Sequence, residues 1–251
     1  MNVSMYQAAA ALNAHSRWQE IVAENLSASA LPGFKKHTVS FGAIDGGQML
    51  PGATGGPSSQ SAKFALPKLS SGIDFSAGQL KHTGVNTDMA IEGEGFFEVQ
   101  LPTGETALTR DGEFRVNADG QLVTKSGLPV MGTGGEIQFD PGNKEPVNIA
   151  VDGRISQGAV PVGQIRVVNP GNPQELRSVG GGLYLSRDAG LLEDVEVPSV
   201  HQGYLESSNT SPVTEMADLI NSMRMFEANQ KLIQLQDERM SKAINTLGNQ
   251  K

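Results

Sequence analysis

Between Val213 and Leu247 nothing in the sequence interrupts a helix, and apolar residues return at a fixed interval. Leu219, Phe226, Ile233, Met240 and Leu247 stand seven apart, and Met216, Met223, Gln230, Asp237 and Ile244 form the second row of the same heptad pattern. Pro212 sits where a first-turn proline belongs, after Ser211 as a cap, and Gly248 supplies a stop. At 1.5 Å per residue such a helix is about 50 Å long. That is too long to be cladding for a small core, so the helix needs a partner along its length.

Residues 1–30 offer one. Met5, Ala8, Leu12, His15, Gln19, Val22 and Leu26 alternate by three and four, and Trp18 and Ile21 widen the apolar face. Pairing the two ends closes a loop of roughly 190 residues at an entropic cost of about 5 kcal/mol, less if a folded middle holds its own ends close. One helix pair still leaves much of each apolar face wet, and Trp18, Ile21, Leu219, Ile220, Met216, Met223 and Met225 point to more than one buried face. The expectation is a coiled-coil pair that completes its core against neighbouring molecules. Gln230 and Asp237, at seam positions, either fix register and partner or face water on a helix that has rolled.

The middle follows a different grammar. Residues 42–72 are rich in Gly, Pro and Ser, so 31–72 reads as an irregular or extended connector. From about Thr83 the period becomes two. "TALTRDGEFRVNADGQLVT" reads as strands joined by turns at Asp111-Gly112 and Asp119-Gly120. The fold class expected is α+β: terminal helices (1–30 and 213–251) forming a coiled-coil assembly domain around an all-β domain of hairpins (73–206), with 207–212 a short connector.

The search for chemistry returns little. The chain has 251 residues, no cysteine and a net charge of −8 with signs interleaved, which offers no footprint for nucleic acid. No segment approaches the roughly 20 apolar residues of a membrane span, and the N-terminus does not read as a cleaved signal peptide. The four histidines are scattered, "GEGFFE" lacks the rest of a dinucleotide fingerprint, and no serine sits on a nucleophile elbow. Glu92 and Glu94 share a strand face but read as a solvated edge. We expect no enzyme, catalytic residue, metal or cofactor. Two classes remain: an assembling structural subunit, or a cell-wall (peptidoglycan or carbohydrate) binding β module with helical oligomerisation arms. The second needs exposed aromatics, yet Phe75, Phe96, Phe97, Phe114, Phe139 and Tyr184 fall mostly at inward-looking positions.

Three blocks then carry a resemblance: "AENLSASALPGFKK" (23–36), the hairpin-rich stretch 83–132, and 203–248 with Glu206, Ser208, Asn209, Glu215, Met216, Arg224, Phe226, Glu227, Asn229 and Asp237 at motif positions. In this order they make the chain resemble the bacterial flagellar basal-body rod and hook proteins, the proximal-rod type more than the distal-rod type. Ala28, Leu31 and Thr210 depart from the asparagine, threonine and valine usual in that family. The resemblance implies terminal helices at the inner wall of a hollow rod, β domains outside them, and torque transmission across the periplasm. It also implies export by the flagellar type III apparatus without cleavage. Partners would be other copies, other rod proteins and the peptidoglycan-spanning bushing.

The assembly seam is accordingly assigned to Leu12, Trp18, Val22, Leu26, Met216, Leu219, Met223, Phe226, Ile233, Met240, Ile244 and Leu247, and the motif turn to Asn25, Gly33 and Phe34. In that turn Asn25 to Ala30 read as a fraying helix end, Leu31-Pro32 as a block, and Gly33 as a residue chosen for its backbone freedom. Phe34 is then free to pack, and Lys35 and Lys36 are solvated or paired with acids. The turn is expected to set the angle between the assembling helix and the rest of the subunit.

Overall fold

A run of alanines, Ala8 to Ala11 and Ala14, sits in the first helix, α1 (Val3–Ala28), and favours it because alanine loses no side-chain entropy on helix formation. The computed structural model describes residues 3–49, 62–143, 145–186 and 192–248. All seven expected seam positions of α1, from Met5 to Leu26, are buried or half-buried. Its solvent stripe is Tyr6, Ala9, Asn13, Arg17, Glu20 and Ser27, mostly polar.

The chain divides into two compact units. The first holds residues 1–26, 37–72 and 211–251, and the second holds 27–36 and 73–210. In the first unit, β1 (His37–Met49) and β2 (Ala62–Ile73) pair as a two-stranded sheet. Sequence reading expected an irregular connector here. Strand pairing supplies backbone partners that glycine-rich composition conceals, and a half-exposed ribbon needs few apolar residues. The stretch 50–61 of that connector lies outside the described residues. Phe41 of β1 stacks on α1, 5.5 Å from the ring centres of both His15 and Trp18, and Gln7 donates to the Ala65 carbonyl of β2.

The second unit is built of short strands: β3 (Leu80–His82), β4 (Met89–Glu92), β5 (Phe96–Gln100), β6 (Thr106–Thr109), β7 (Phe114–Val116), β8 (Leu122–Thr124), β9 (Met131–Gly132), β10 (Gly135–Glu136), β11 (Val147–Ile149), β12 (Arg154–Gln157), β13 (Val160–Gln164), β14 (Val167–Asn169), β15 (Arg177–Gly180), β16 (Leu183–Leu185), β17 (Glu193–Asp194), β18 (Ser199–Gln202) and β19 (Tyr204–Glu206). Its largest sheet runs β15-β16-β6-β5-β14-β17, with every pairing antiparallel. Strand period places Phe97, Val99, Ala107 and Val167 in the main core with Met89, Phe114, Leu122 and Ile155. Phe96, Leu108, Val168 and Tyr184 lie in a second cluster with Leu176.

The Asp119-Gly120 turn closes the β7–β8 hairpin as expected, with Gly120 at φ +84°. Asp111-Gly112 does not close one: β6 pairs with β5 and β16, whereas β7 pairs with β8. The dipeptide is instead a crossing between sheets. There the Gly112 carbonyl accepts from Met89 N, and a Cβ on Gly112 would come within 1.6 Å of Met89 O. Close backbone approach, not turn geometry, requires this glycine.

The second helix, α2, spans Pro212–Gly248, as the heptads require. Its register differs from expectation. Leu219, Phe226 and Ile233 are half-buried, but the second covered row is Glu215, Ser222, Asn229 and Gln236. Met216 and Met223 are about half exposed and Ile244 is 66 % exposed, while Gln230 and Asp237 face water. Met240, in the first row, is exposed too. The helix has rolled by about one position. That brings small Ser222, fully buried with its Oγ donating to Leu219 O, to a line of close approach. It also lets the Glu215 carboxylate meet a donor. Leu247's side chain lies outside the described residues.

Candidate functional site

Asn25 does not fray. It stands in α1 at 1 % exposure, and its side chain makes three hydrogen bonds within the first unit. Oδ1 accepts from His37 N at 2.8 Å, and Nδ2 donates to His37 O at 2.8 Å and to Glu215 Oε2 at 3.2 Å. One amide thus ties the last turns of α1 to the start of β1 and to the first turn of α2. Each net bond contributes about 1 kcal/mol.

Around its covered stripe α2 exposes apolar side chains on both flanks. Met216, Ile220 and Met223 lie on one, and Met225, Leu232 and Leu235 lie on the other, each 47–53 % exposed. In α1, by contrast, Leu12, Trp18 and Leu26 are half-buried and Val22 is buried. The unpartnered apolar surface of the first unit therefore belongs mainly to α2.

Gly33 and Phe34 of the motif turn lie in the second unit. Leu31 N donates to Ala28 O, and Gly33, at φ +66°, donates its N–H to Glu206 O at 2.7 Å. Phe34 is buried at 3 % exposure. Lys35, which sequence left either solvated or paired, is buried and paired. Its Nζ reaches Glu206 Oε1 at 2.6 Å and Ser76 O at 2.8 Å, and its backbone N–H donates to the Tyr184 hydroxyl at 3.2 Å. Gly78 N donates to the same Glu206 oxygen at 2.7 Å. Glu206 Oε2 receives Arg110 Nη1 at 3.3 Å; Arg110 also donates to the carbonyls of Ile91 and Gly93 and lies over the Phe96 ring.

Two cations thus share one carboxylate in a dry setting. Burial pushes Lys35 below the ordinary lysine range against the pull of Glu206, and burial likewise lowers Arg110. Arg110 Nε is buried with no hydrogen-bond partner among the described residues. Sequence reading did not single out Arg110, because its partners are remote in the chain. A charged residue closing the apolar strand β6 was the only local signal.

His201 builds no catalytic relay with its neighbours. Glu92 and Ser199 both meet Nε2 of His201, at 2.7 and 3.5 Å, so the imidazole cannot pass a proton between them. Glu94 binds Asn169 instead of pairing with Glu92. Among the described residues no group of three or more His, Asp or Glu could hold a metal ion, and no helix is long and apolar enough to cross a membrane. The aromatics a glycan-binding face would present are turned inward: Phe96, Phe97, Phe114, Phe139 and Tyr184 are each at most 4 % exposed.

A tied β unit and a helical unit with apolar flanks fit a structural subunit. Comparison with known proteins agrees. Residues 90–157 match the flagellar hook protein FlgE/F/G D1 domain, and 201–246 match the flagellar basal body rod FlgEFG protein C-terminal family. The chain is 36 % identical over 232 residues to the flagellar basal-body rod protein FlgF of Caulobacter vibrioides, covering 91 % of each. It is 34 % identical over 254 residues to FlgF of Mesorhizobium japonicum, covering 99 % of each. It is 33 % identical over 257 residues to FlgG of Buchnera aphidicola, covering 95 % of this chain and 97 % of the relative. The chain belongs to the flagellar basal-body rod protein family.

Proposed function

We propose that this chain is a structural subunit of the flagellar basal-body rod, of the proximal FlgF type, polymerising through its terminal helices into a hollow axial shaft that carries torque across the periplasm. The observation that carries this reading is the pair of apolar flanks on α2. Completing the burial of such half-exposed side chains contributes roughly 1 kcal/mol each, about half the value for full burial. The buried knot suits the same role, because ties between residues 35, 110 and 206 resist shear better than local contacts do. Family membership supports other rod proteins and further copies as partners. The flagellar export apparatus and the peptidoglycan-spanning bushing are the remaining partners of this reading, with export free of signal cleavage.

Ile220→Glu together with Met223→Glu tests it. Both positions are exposed, so helix content by circular dichroism is expected to stay unchanged. In cells whose only copy is this variant, the chain is expected to be missing from purified basal bodies and swimming to be lost. Normal incorporation and motility would overturn the assignment of assembly to this face. Density for the unsubstituted chain in an intact basal body decides between the proximal and distal positions.

A further inference from the structure

α2 has 37 residues against 26 in α1, and the excess is placed at one end. The Asn25–Glu215 contact joins the end of α1 to the beginning of α2. Continuing antiparallel from that contact, α1 begins, at Val3, opposite Asp237. Exposure agrees independently. Gln236 is still half-buried, whereas every side chain from Asp237 to Thr246 is exposed. Yet the apolar row does not end there: Met240 and Ile244 are 46 % and 66 % exposed and lie within one helix face with Asp237. An apolar row that outruns its partner requires a second one.

The same unit contains an open cleft. A cleft of about 300 Å³ runs along α1 beside β2, lined by Ala10, Asn13, Ala14, Arg17, Pro67 and Leu69. Ala10, half-buried, and Ala14, at 7 % exposure the floor of the cleft, are spaced as Met240 and Ile244 are. Arg17 stands at the cleft's end in an exposed ion pair to Glu20 at 2.7 Å, an interaction worth little in water.

We propose that the overhanging end of α2, residues 237–248, docks antiparallel into the Ala10–Arg17 cleft of a second copy. Met240 lies over Ala14, Ile244 over Ala10, and Asp237 beside Arg17. Charge selects this direction, because a parallel helix with the same two methyl-rich contacts places Asp237 opposite Gln7 and brings Arg17 no acid from the incoming helix. The register also gives a purpose to an acid on the apolar row. Each copy carries both the cleft and the end, so the contact is heterologous and propagates from copy to copy. The inference rests on the reading of the chain as a self-assembling rod subunit and adds the segment and the register.

The chain has no cysteine, so introduced thiols are unique. Two versions are co-expressed as the only copies in the cell, one with Ala14→Cys and one with Met240→Cys, and isolated basal bodies are oxidised. Within one chain these positions are too far apart along the helix pair to join. A 14–240 cross-link between copies is expected, falling at least about tenfold when the second cysteine replaces Glu238, whose Cα turns beyond the roughly 7 Å a disulfide spans. Asp237→Arg lowers the yield about three- to fivefold, and Arg17→Asp in the partner version restores it. Assembled rods with no such cross-link, or with equal yields at 238 and 240, overturn the docking register and leave the rod reading intact. Should a cysteine version fail to enter basal bodies, the pair is read in concentrated purified full-length chain, where absence of the cross-link again overturns the proposal. Absence of the unsubstituted chain from basal bodies overturns the rod reading itself.

Discussion

Lys35 Nζ lies 2.6 Å from Glu206 Oε1, two side chains 171 positions apart and at most 2 % exposed. Arg110 holds the other carboxylate oxygen, so the knot contains two cations and one anion. That imbalance decides what its removal does. Glu206→Gln leaves Lys35 and Arg110 facing each other without a counter-charge in a buried site. A loss of about 3–5 kcal/mol is expected. Lys35→Met leaves a balanced Arg110–Glu206 pair and is expected to cost less, about 1–2 kcal/mol. Amide exchange of the slowest β5 and β6 protons measures both, and equal losses would show that charge balance does not govern the knot.

Gly33 faces two separate obstacles to substitution. Its φ of +66° disfavours side chains, and a Cβ there would stand 2.2 Å from the Arg110 carbonyl carbon. Gly33→Ala is expected to destabilise the β unit by more than about 3 kcal/mol. Because that backbone also carries the Glu206 partner bond, Tyr184 and Lys35 should lose exchange protection together. A thermal midpoint within error of the parent would refute the close packing of this turn.

Asp111 gives the fold a pH dependence. Burial raises its carboxyl from 3.8 to about 6, helped by Glu113 and Asp88 and opposed by its bond from Glu113 N and by Lys125. The folded chain therefore holds a proton that the unfolded chain releases between about pH 4 and 6. Stability from this group is fully present below pH 3.8 and is lost as pH rises through 6. Asp111→Asn keeps an oxygen acceptor and no charge. It is expected to match the parent near pH 4 and exceed it by about 2 kcal/mol at pH 7–8. Denaturation midpoints across that range decide the matter, and a constant difference between the two proteins would exclude Asp111 as the source.

Thr210 is 7 % exposed, and its hydroxyl has no hydrogen-bond partner among the described residues. Thr210→Val exchanges an unsatisfied hydroxyl for a methyl of similar size and keeps the backbone bond to Ser208. A gain of about 1 kcal/mol is expected in chemical denaturation. A loss of stability would mean the hydroxyl has a bound water that the valine displaces.

Sequence reading reached the elements whose signal is local. Heptads placed α2 from Pro212, the three-and-four spacing marked the covered side of α1, and Asp119-Gly120 marked its hairpin, because each pattern is written within one or two turns of chain. It missed β1 and β2, whose half-exposed ribbon needs no strong apolar alternation. It also mistook Asp111-Gly112 for a hairpin turn, since a glycine required by a carbonyl on another strand looks the same as one required by a tight turn.

The heptad rows by themselves determined that two long amphipathic helices flank a β-rich middle, because helix and strand periods are properties of neighbouring residues. They did not determine which side of α2 is covered, since the rows at Met216 and Glu215 differ by a single position of roll. Tertiary structure decided that, by bringing Asn25 to Glu215 and fully burying small Ser222. It alone decided that Lys35 is buried and that Arg110 and Glu206 are its companions, because Coulomb attraction and desolvation act through space and leave no mark on the spacing of residues along the chain.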